Sequence, residues 1–139
     1  MVRIELMSWE RAREQASRIR FRVFVQEQGV PREIELDEQD PLCIHALAYD
    51  EQGAAVGTGR LLPDAHIGRM AVLAERRRHG VGTALLNGLV EAARKRGDKE
   101  ILLSAQVHAV DFYRRHGFET VGEIYEEAGI PHRAMRRRF

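Results

Sequence analysis

The stretch ERRRHGVGTALL, residues 75–86, joins a run of charged side chains to two glycines and the start of an apolar run. The start of a helix exposes unpaired N–H groups that attract anions, and glycine lets the backbone approach a phosphate closely. The stretch therefore has two interpretations. It is either an anion cradle that opens a helix, or a turn with a solvated basic flank.

The segments on either side of this stretch favour a strand–turn–helix–strand unit. HIGRMAVL (66–73) precedes it as a predicted strand, and a helix is predicted from Gly80 to Arg96, with Gly97 as its stop. One face of that helix carries six small or apolar residues, namely Val81, Ala84, Leu85, Gly88, Leu89 and Ala92. ILLSAQ (101–106) follows as a short strand suited to the middle of a sheet.

The remaining segments predict strands with one long helix near the start. VRIELM (2–7) alternates like a strand, and Ser8 can cap a helix whose inner face comprises Trp9, Ala12, Ala16, Ile19 and Val23. The alternation within residues 19–25 leaves a strand there as an alternative. VPREIELDEQDP (30–41) is an acidic loop. Residues 43–50, 54–62 and 66–73 form a predicted antiparallel meander, and a short helix (109–116) precedes two closing strands (119–125 and 132–139).

This order of elements predicts one α/β domain over residues 1–139, with a mixed, mostly antiparallel sheet flanked by helices. A doubly wound fold is not expected, because only the connection from 66–73 to 101–106 passes through a clear helix. The closing strands could pair across the axis of a homodimer.

Composition narrows the classes of function. The 139 residues are 44% hydrophobic and 31% charged, with a net charge of +1, which argues against a general nucleic-acid binder. The sequence has neither an apolar run of membrane-spanning length nor a secretory signal, so we expect a cytoplasmic protein that does not act at a membrane. One cysteine, Cys43, excludes an internal disulfide and a multi-cysteine metal site. We expect no metal, and Cys43 is interpreted as a small buried strand residue.

Two common nucleotide-binding motifs do not fit. No Gly-Lys-Ser or Gly-Lys-Thr occurs, so a P-loop is excluded. A dinucleotide fingerprint requires a third glycine, where this chain has Leu85, and an acidic residue at the end of the next strand, whereas Glu100 precedes that strand.

Two segments resemble the signature of the GNAT N-acetyltransferases. Val72-x4-Arg77-x2-Gly80-x-Gly82-x2-Leu85 is similar to that family's acyl-coenzyme A motif. Residues 106–118, QVHAVDFYRRHGF, resemble its next motif, although Gln106 stands where many members have asparagine. FRVFVQEQGVP and AGIPH further resemble a small bacterial subgroup assigned as acetyltransferases.

The resemblance implies a GNAT fold in which a splayed strand pair forms a slot for acyl-coenzyme A. Backbone groups of Met70, Ala71 and Val72 would pair with the pantetheine arm. The loop and helix start would surround the pyrophosphate, with Gln106 and Phe112 completing a site whose loop members are Arg77, Arg78, His79, Gly80, Val81, Gly82 and Thr83. The cationic residues from Arg76 to His79 would form a charge-complementary rim.

Acetyl transfer to an amine requires a neutral amine and a proton for the departing thiolate. Tyr113 occupies the family's tyrosine position and is the candidate general acid, since a phenol is protonated at neutral pH. Its alternative interpretation is a core aromatic beside Phe112. For the general base, Glu27 matches an acidic position of the subgroup, with a solvated helix-end carboxylate as the alternative. His108 and His132 are two further candidates.

The acceptor is predicted to be a small-molecule primary amine, and acetyl-coenzyme A is the predicted donor. Arg60 and His132 are candidate acceptor-binding residues, although Arg60 could equally be a surface strand arginine. The acidic loop would attract a cation, whereas Arg60 would attract an anion, so the two point to different acceptors. A non-catalytic acyl-coenzyme A sensor of the same fold is the alternative function. A nucleic-acid-binding domain that uses the arginine runs is a third, disfavoured by the charge balance.

Overall fold

The computed structural model describes residues 2–139, and a seven-stranded sheet organises them. The strands are β1 (Arg3–Met7), β2 (Ile44–Tyr49), β3 (Ala55–Leu61), β4 (His66–Val72), β5 (Glu100–Gln106), β6 (Glu119–Glu127) and β7 (Ile130–Arg138). Their order across the sheet is β1-β2-β3-β4-β5-β7-β6. All neighbours pair antiparallel except β4 and β5, which are parallel, so the predicted sheet is confirmed.

Four α-helices and one π-helical segment accompany the sheet. They are α1 (Trp9–Arg20), α2 (Arg32–Glu35), α3 (Val81–Arg96) and α4 (Val110–Arg115), and the π-helical segment Phe21–Glu27 directly continues α1. Among residues 2–139, no helix is long and apolar enough to cross a membrane.

The prediction of a helix near the start of the chain is confirmed, and the strand alternative for residues 19–25 is wrong. Ser8 is the N-cap residue of α1, but its side chain makes no capping hydrogen bond; its carbonyl oxygen accepts from the Ala12 amide at 3.0 Å. The apolar spacing continues to Val23 because the helix widens into π geometry rather than ending. π-Helical segments are rare and occur frequently at functional sites.

The core lies between the central strands and the two long helices. All seven residues of β3 are buried, and the buried side chains of α3 are Val81, Leu85, Leu86, Leu89, Val90 and Ala93. Alanines at 12 and 16 of α1 are fully buried, which lets that helix pack closely. Gly80 and Gly97 bound α3 in the left-handed region, with φ of +80° and +93°. The predicted bounds of this helix are therefore confirmed.

A bulge in β4 shapes the sheet beside the parallel pair. Between the pairs Thr58↔Ala71 and Arg60↔Gly68, two residues of β4 oppose Gly59 alone. A Cβ at position 59 would lie 2.6 Å from Met70 Sδ, so only glycine fits there without rearrangement. Arg69, in the bulge, has a φ of +49°, which is strained for a residue with a side chain.

Candidate active site

A slot opens where β4 and β5 separate. The two strands pair only at His66↔Leu102 and Ile67↔Leu103, although β4 continues to Val72 and β5 to Gln106. Beyond these pairs, the facing edges carry backbone N–H and C=O groups that are not bonded to each other. An extended chain with amide groups can therefore bind here as an added strand. Met70, Ala71 and Val72 lie on the β4 edge of this slot.

The loop before α3 presents a set of free backbone donors at the end of β4. Ala84 is the first α3 residue whose amide is hydrogen-bonded within the helix, to Gly80 O at 3.0 Å. The amides of Val81, Gly82 and Thr83 have no intrahelical acceptor, because they belong to the first turn. Together with the helix dipole, these donors favour an anion at this end of α3.

Gly82 lies against α4 and the end of β4. A Cβ at position 82 would lie 3.6 Å from Phe112 Cζ and 4.0 Å from Val72 Cγ2, which is ordinary van der Waals contact. Phe112 therefore holds α4 beside the start of α3. Alanine would fit at position 82, whereas a longer side chain would meet Phe112 and Val72 and would have to turn aside from them.

The cationic loop is mostly paired within the chain. Arg77 donates to both oxygens of Glu27 at 2.6 and 2.8 Å and to Val72 O at 3.0 Å, and Arg76 lies 3.7 Å from Asp50 Oδ2. Among the residues that the structure describes, Arg78 makes no ion pair; it is exposed and has a φ of +68°. His79 is also exposed. Of the three arginines, Arg78 is thus the one free to meet a bound anion.

Glu27 lies near the β4 end of the slot, where it forms an ion pair with Arg77. The hydrogen bond from Arg77 lowers the pKa of Glu27, and the carboxylate remains partly exposed. The alternative of a solvated helix-end carboxylate also fits, since Glu27 ends the π-helical segment and its side chain is 41% exposed, although both oxygens accept from one guanidinium. The next residue, Gln28, accepts a hydrogen bond from Gln106 Nε2 at 2.8 Å. The end of the π-helical segment therefore contacts both the loop before α3 and the end of β5.

Tyr113 lies in an aromatic group at the side of the slot. Its ring packs edge-on to Phe112, at 5.0 Å between centroids, and to Phe118, at 5.9 Å. Burial raises the pKa of Tyr113 to about 12. Its hydroxyl makes no hydrogen bond within residues 2–139, so the chain itself does not use this donor. The ring of Tyr113 packs as expected for a core aromatic, which was its alternative interpretation. This packing leaves the hydroxyl without a hydrogen-bond partner in the chain.

A second group of polar side chains shares one face of β5, β7 and β6. Gln106 lies directly opposite His132, which lies opposite Tyr125, and residues directly opposite in antiparallel strands point to the same face. Tyr125 stacks on His132, with 6.1 Å between ring centroids, and its hydroxyl is hydrogen-bonded to Ser104. We call Ser104, Gln106, Tyr125, Glu127 and His132 the polar face. His108 is exposed in the 3₁₀ turn Val107–Ala109 after β5 and, within residues 2–139, makes no hydrogen bond or ion pair with the polar face.

Arg60 belongs to a buried ion cluster rather than to an open acceptor site. It is 5% exposed and donates to Asp37 and to Asp40, with both shortest contacts at 2.8 Å. Arg20, 1% exposed, binds Glu35 at 2.7 Å and Asp40 at 2.9 Å. The members of this ion cluster are Arg20, Glu35, Asp37, Asp40, Arg60 and Arg69.

The ion cluster removes a conflict between two sequence-based hypotheses. The acidic loop was expected to attract a cation and Arg60 an anion, but the two neutralise each other, and the interpretation of Arg60 as a surface arginine is wrong. The loop also contains the unforeseen α2 and a 3₁₀ turn over Asp40–Leu42. Cys43 is 6% exposed, so its predicted burial is confirmed, but it lies between the 3₁₀ turn and β2 rather than in a strand. Burial raises the pKa of its thiol to about 11, as is typical of an unreactive cysteine.

The ion cluster predicts a specific loss of stability in acid. The hydrogen bonds from Arg60 lower the pKa of Asp37 from 3.8 to about 2. Because the pKa of Asp37 is lower in the folded than in the unfolded chain, the ionised carboxylate stabilises the fold above about pH 4. This stabilisation is lost as the pH falls towards about 2, and a shift of this size is worth about 2 kcal/mol. Urea unfolding near pH 5 and near pH 2.5 should show this extra loss in the wild-type chain and not in Asp37→Asn. Equal losses in both chains would contradict the assignment.

Sequence reasoning missed Ser104, Tyr125 and Glu127 of the polar face. On β6 the signal was weak because Gly122–Ile124 oppose Arg133 alone, so the register with β7 shifts by two residues. The acidic members of the ion cluster were noticed as a charged run, but their pairing with Arg20 and Arg69 crosses long sequence separations. Periodicity along the chain carries no signal for such pairs.

Comparison with known proteins identifies the family. A profile of the acetyltransferase (GNAT) domain matches residues 11–139. YjcF of Bacillus subtilis, named as an uncharacterized N-acetyltransferase, is 38% identical over 123 residues, which is 86% of this chain and 87% of YjcF.

Two solved structures share the whole fold. A protein from Lactobacillus plantarum assigned as an N-acetyltransferase superposes with a TM-score of 0.90 and 29% identity, over 99% of this chain and 97% of that one. An acyl-CoA N-acyltransferase from Pseudomonas aeruginosa superposes with a TM-score of 0.87 and 30% identity, over 99% of both chains. The chain therefore belongs to the GNAT acetyltransferase family and is an acyltransferase.

Proposed function

We propose that this chain is an acetyl-coenzyme A-dependent N-acetyltransferase that acylates the primary amine of a small molecule. The observation that carries the proposal is the slot between β4 and β5, which ends at the free amides of Val81, Gly82 and Thr83. An amide-containing arm followed by a pyrophosphate matches an unpaired strand edge followed by a helix start. Arg78 supplies an exposed cation beside that helix start.

The residues present fit this donor. Gly82 keeps side-chain atoms away from the helix start, Phe112 packs beside it, and the bulge at Arg69 follows directly after Ile67, the last β4 residue that pairs with β5. When bound, the donor supplies an activated acetyl group at the end of its extended arm. Within the chain, Tyr113 would donate a proton towards the departing sulfur, and the backbone of β4 would hold the arm in place.

A non-catalytic sensor of the same fold is the second candidate. The free hydroxyl of Tyr113, protonated far above neutral pH, favours the enzyme, since a binding module has no use for a proton donor there. Release of thiol from acetyl-coenzyme A upon addition of primary amines separates the two: a sensor binds the donor and releases none.

We include a cytoplasmic location and homodimer formation in the proposal, with multi-angle light scattering as the measurement for the dimer.

Gly82→Glu tests the donor site. The added carboxylate would lie at the helix start and repel the pyrophosphate, so we expect the dissociation constant for acetyl-coenzyme A to rise at least about tenfold. Isothermal titration calorimetry measures this directly.

Gly82→Gln and Gly82→Ala are the matched controls, because glutamine has the same size without the charge and an alanine Cβ makes only ordinary contacts. We expect Gly82→Ala to bind nearly as well as the wild type and Gly82→Gln to lie between alanine and glutamate. Equal binding by all four chains, or no binding by the wild type, would rule out this donor site.

A further inference from the structure

His132 is a nearly buried histidine whose two ring nitrogens differ in their surroundings. It is 7% exposed, and its Nδ1 lies 2.7 Å from the carbonyl oxygen of Ile130. A carbonyl oxygen can only accept, so Nδ1 donates this hydrogen bond and carries the proton. In the neutral ring the free lone pair is therefore on Nε2.

That lone pair is not used within the described chain. Glu127 Oε2 lies 3.8 Å from Nε2, which is beyond hydrogen-bonding reach. Around the ring, β6 presents the carboxylate of Glu127 and the phenol of Tyr125, while β5 presents the uncharged Gln106. Glu27, which is paired with Arg77, precedes Gln28, the residue that Gln106 contacts, and the exposed His108 lies just after β5.

His132 also lies next to the open part of the slot. It is directly opposite Gln106, three residues beyond Leu103, where the pairing of β4 and β5 ends. The side chain of Gln106 contacts Gln28, at the end of the π-helical segment. The polar face therefore adjoins the region where an acyl group at the end of the slot would meet an acceptor.

We propose that His132 Nε2 is the general base of the transfer, and that Glu127 holds the ammonium form of the acceptor beside it. This inference rests on the proposed N-acetyltransferase function. Nε2 takes one proton from the ammonium and becomes imidazolium, which Glu127 stabilises. The freed amine forms a nitrogen–carbon bond with the acetyl carbon as the carbon–sulfur bond breaks.

The protons and charges balance. The thiolate receives a proton from Tyr113, and Tyr113 recovers one from the newly acylated nitrogen. His132 then releases its proton to solvent, so the net products are the amide, free thiol and one proton. Glu27 is a poorer base than His132, because both of its oxygens accept hydrogen bonds from Arg77.

His132→Asn provides the test, because the asparagine amide can still donate to Ile130 O but has no basic nitrogen in place of Nε2. The probes are ethanolamine, which is an ammonium ion near neutral pH, and hydroxylamine, which is largely uncharged there. General-base catalysis is worth about 10²–10⁴ in rate. We expect kcat/KM for ethanolamine to fall at least about 100-fold and that for hydroxylamine less than about tenfold. The acid limb of the pH–rate profile for ethanolamine should move to the ionisation of the amine itself, because the variant can use only the free amine.

The matched control is His66→Asn, since His66 also has a ring nitrogen near a carboxylate, 3.1 Å from Asp64 Oδ1, but lies at the opposite end of β4. We expect it to keep wild-type rates. Equal losses with both amines in His132→Asn would indicate a structural role and overturn the inference, as would an unchanged rate. Titration of acetyl-coenzyme A separates the two proposals: if the wild type binds no donor, the proposed function itself fails, and the assignment of His132 fails with it.

Discussion

Asp40→Ala is expected to destabilise the chain more than any other single change described here. Asp40 accepts hydrogen bonds from Arg20 at 2.9 Å and from Arg60 at 2.8 Å, and all three side chains are buried. Removing the carboxylate would leave two guanidinium groups without their shared partner in a medium of low dielectric. Breaking a buried ion pair in this way costs about 3–5 kcal/mol.

Denaturation in urea at neutral pH measures this loss of free energy. In thermal unfolding we expect the melting temperature to fall by at least about 10 °C. Glu38→Ala is the control, because Glu38 is an exposed acid of the same loop; its effect should stay within about 0.5 kcal/mol. If the two variants unfolded with the same free energy, the ion cluster would not stabilise the fold.

Tyr113→Phe is expected to have the largest effect on catalysis. The substitution keeps the ring that packs against Phe112 and Phe118 and removes only a hydroxyl that has no hydrogen bond within residues 2–139. The folded state therefore loses no contact, and the dissociation constant for acetyl-coenzyme A should change less than about threefold. Loss of a general acid lowers kcat by about 10²–10⁴.

The pH dependence gives a second readout for Tyr113. Burial raises the pKa of this phenol to about 12, so Tyr113, as the proposed general acid, would stay protonated throughout the alkaline range in which protein assays run. We expect no alkaline limb from Tyr113 below about pH 10 in the wild-type profile. A Tyr113→Phe enzyme with wild-type kcat would contradict the assignment, and a weaker Kd with unchanged kcat would restrict Tyr113 to donor positioning.

Elements whose signal lies within a few residues could be predicted from the sequence. The helix α3 was predictable because its apolar spacing, its two bounding glycines and the preceding strand all agree. The meander of β2, β3 and β4 was predictable from short turns between alternating segments. The Gly80 and Gly82 spacing and the segment around Tyr113 located the slot through a resemblance to a family, which periodicity alone would not supply.

The features that could not be predicted depend on distant residues or on broken periodicity. Arg20 and Asp40 are 20 positions apart, and nothing local tells a solvated acid from a buried one. The π-helical segment keeps a helix-like pattern while its hydrogen bonding changes, so its bounds are hidden. Tyr125 and His132 meet only because β6 bulges over Gly122–Ile124, which an alternating pattern would place in the wrong register.

The separation of β4 from β5 predicts that the stability of the fold depends on the proposed donor. Two strand edges that face each other without hydrogen bonds form a sheet that is incomplete by one strand. A ligand that fills this gap would stabilise the folded state as well as bind to it. A ligand present at about 100 times its dissociation constant adds about 2.7 kcal/mol to the stability of the state that binds it. Resistance to proteolysis should therefore increase with the concentration of that ligand. The lifetime of the chain would then depend on the concentration of its own substrate.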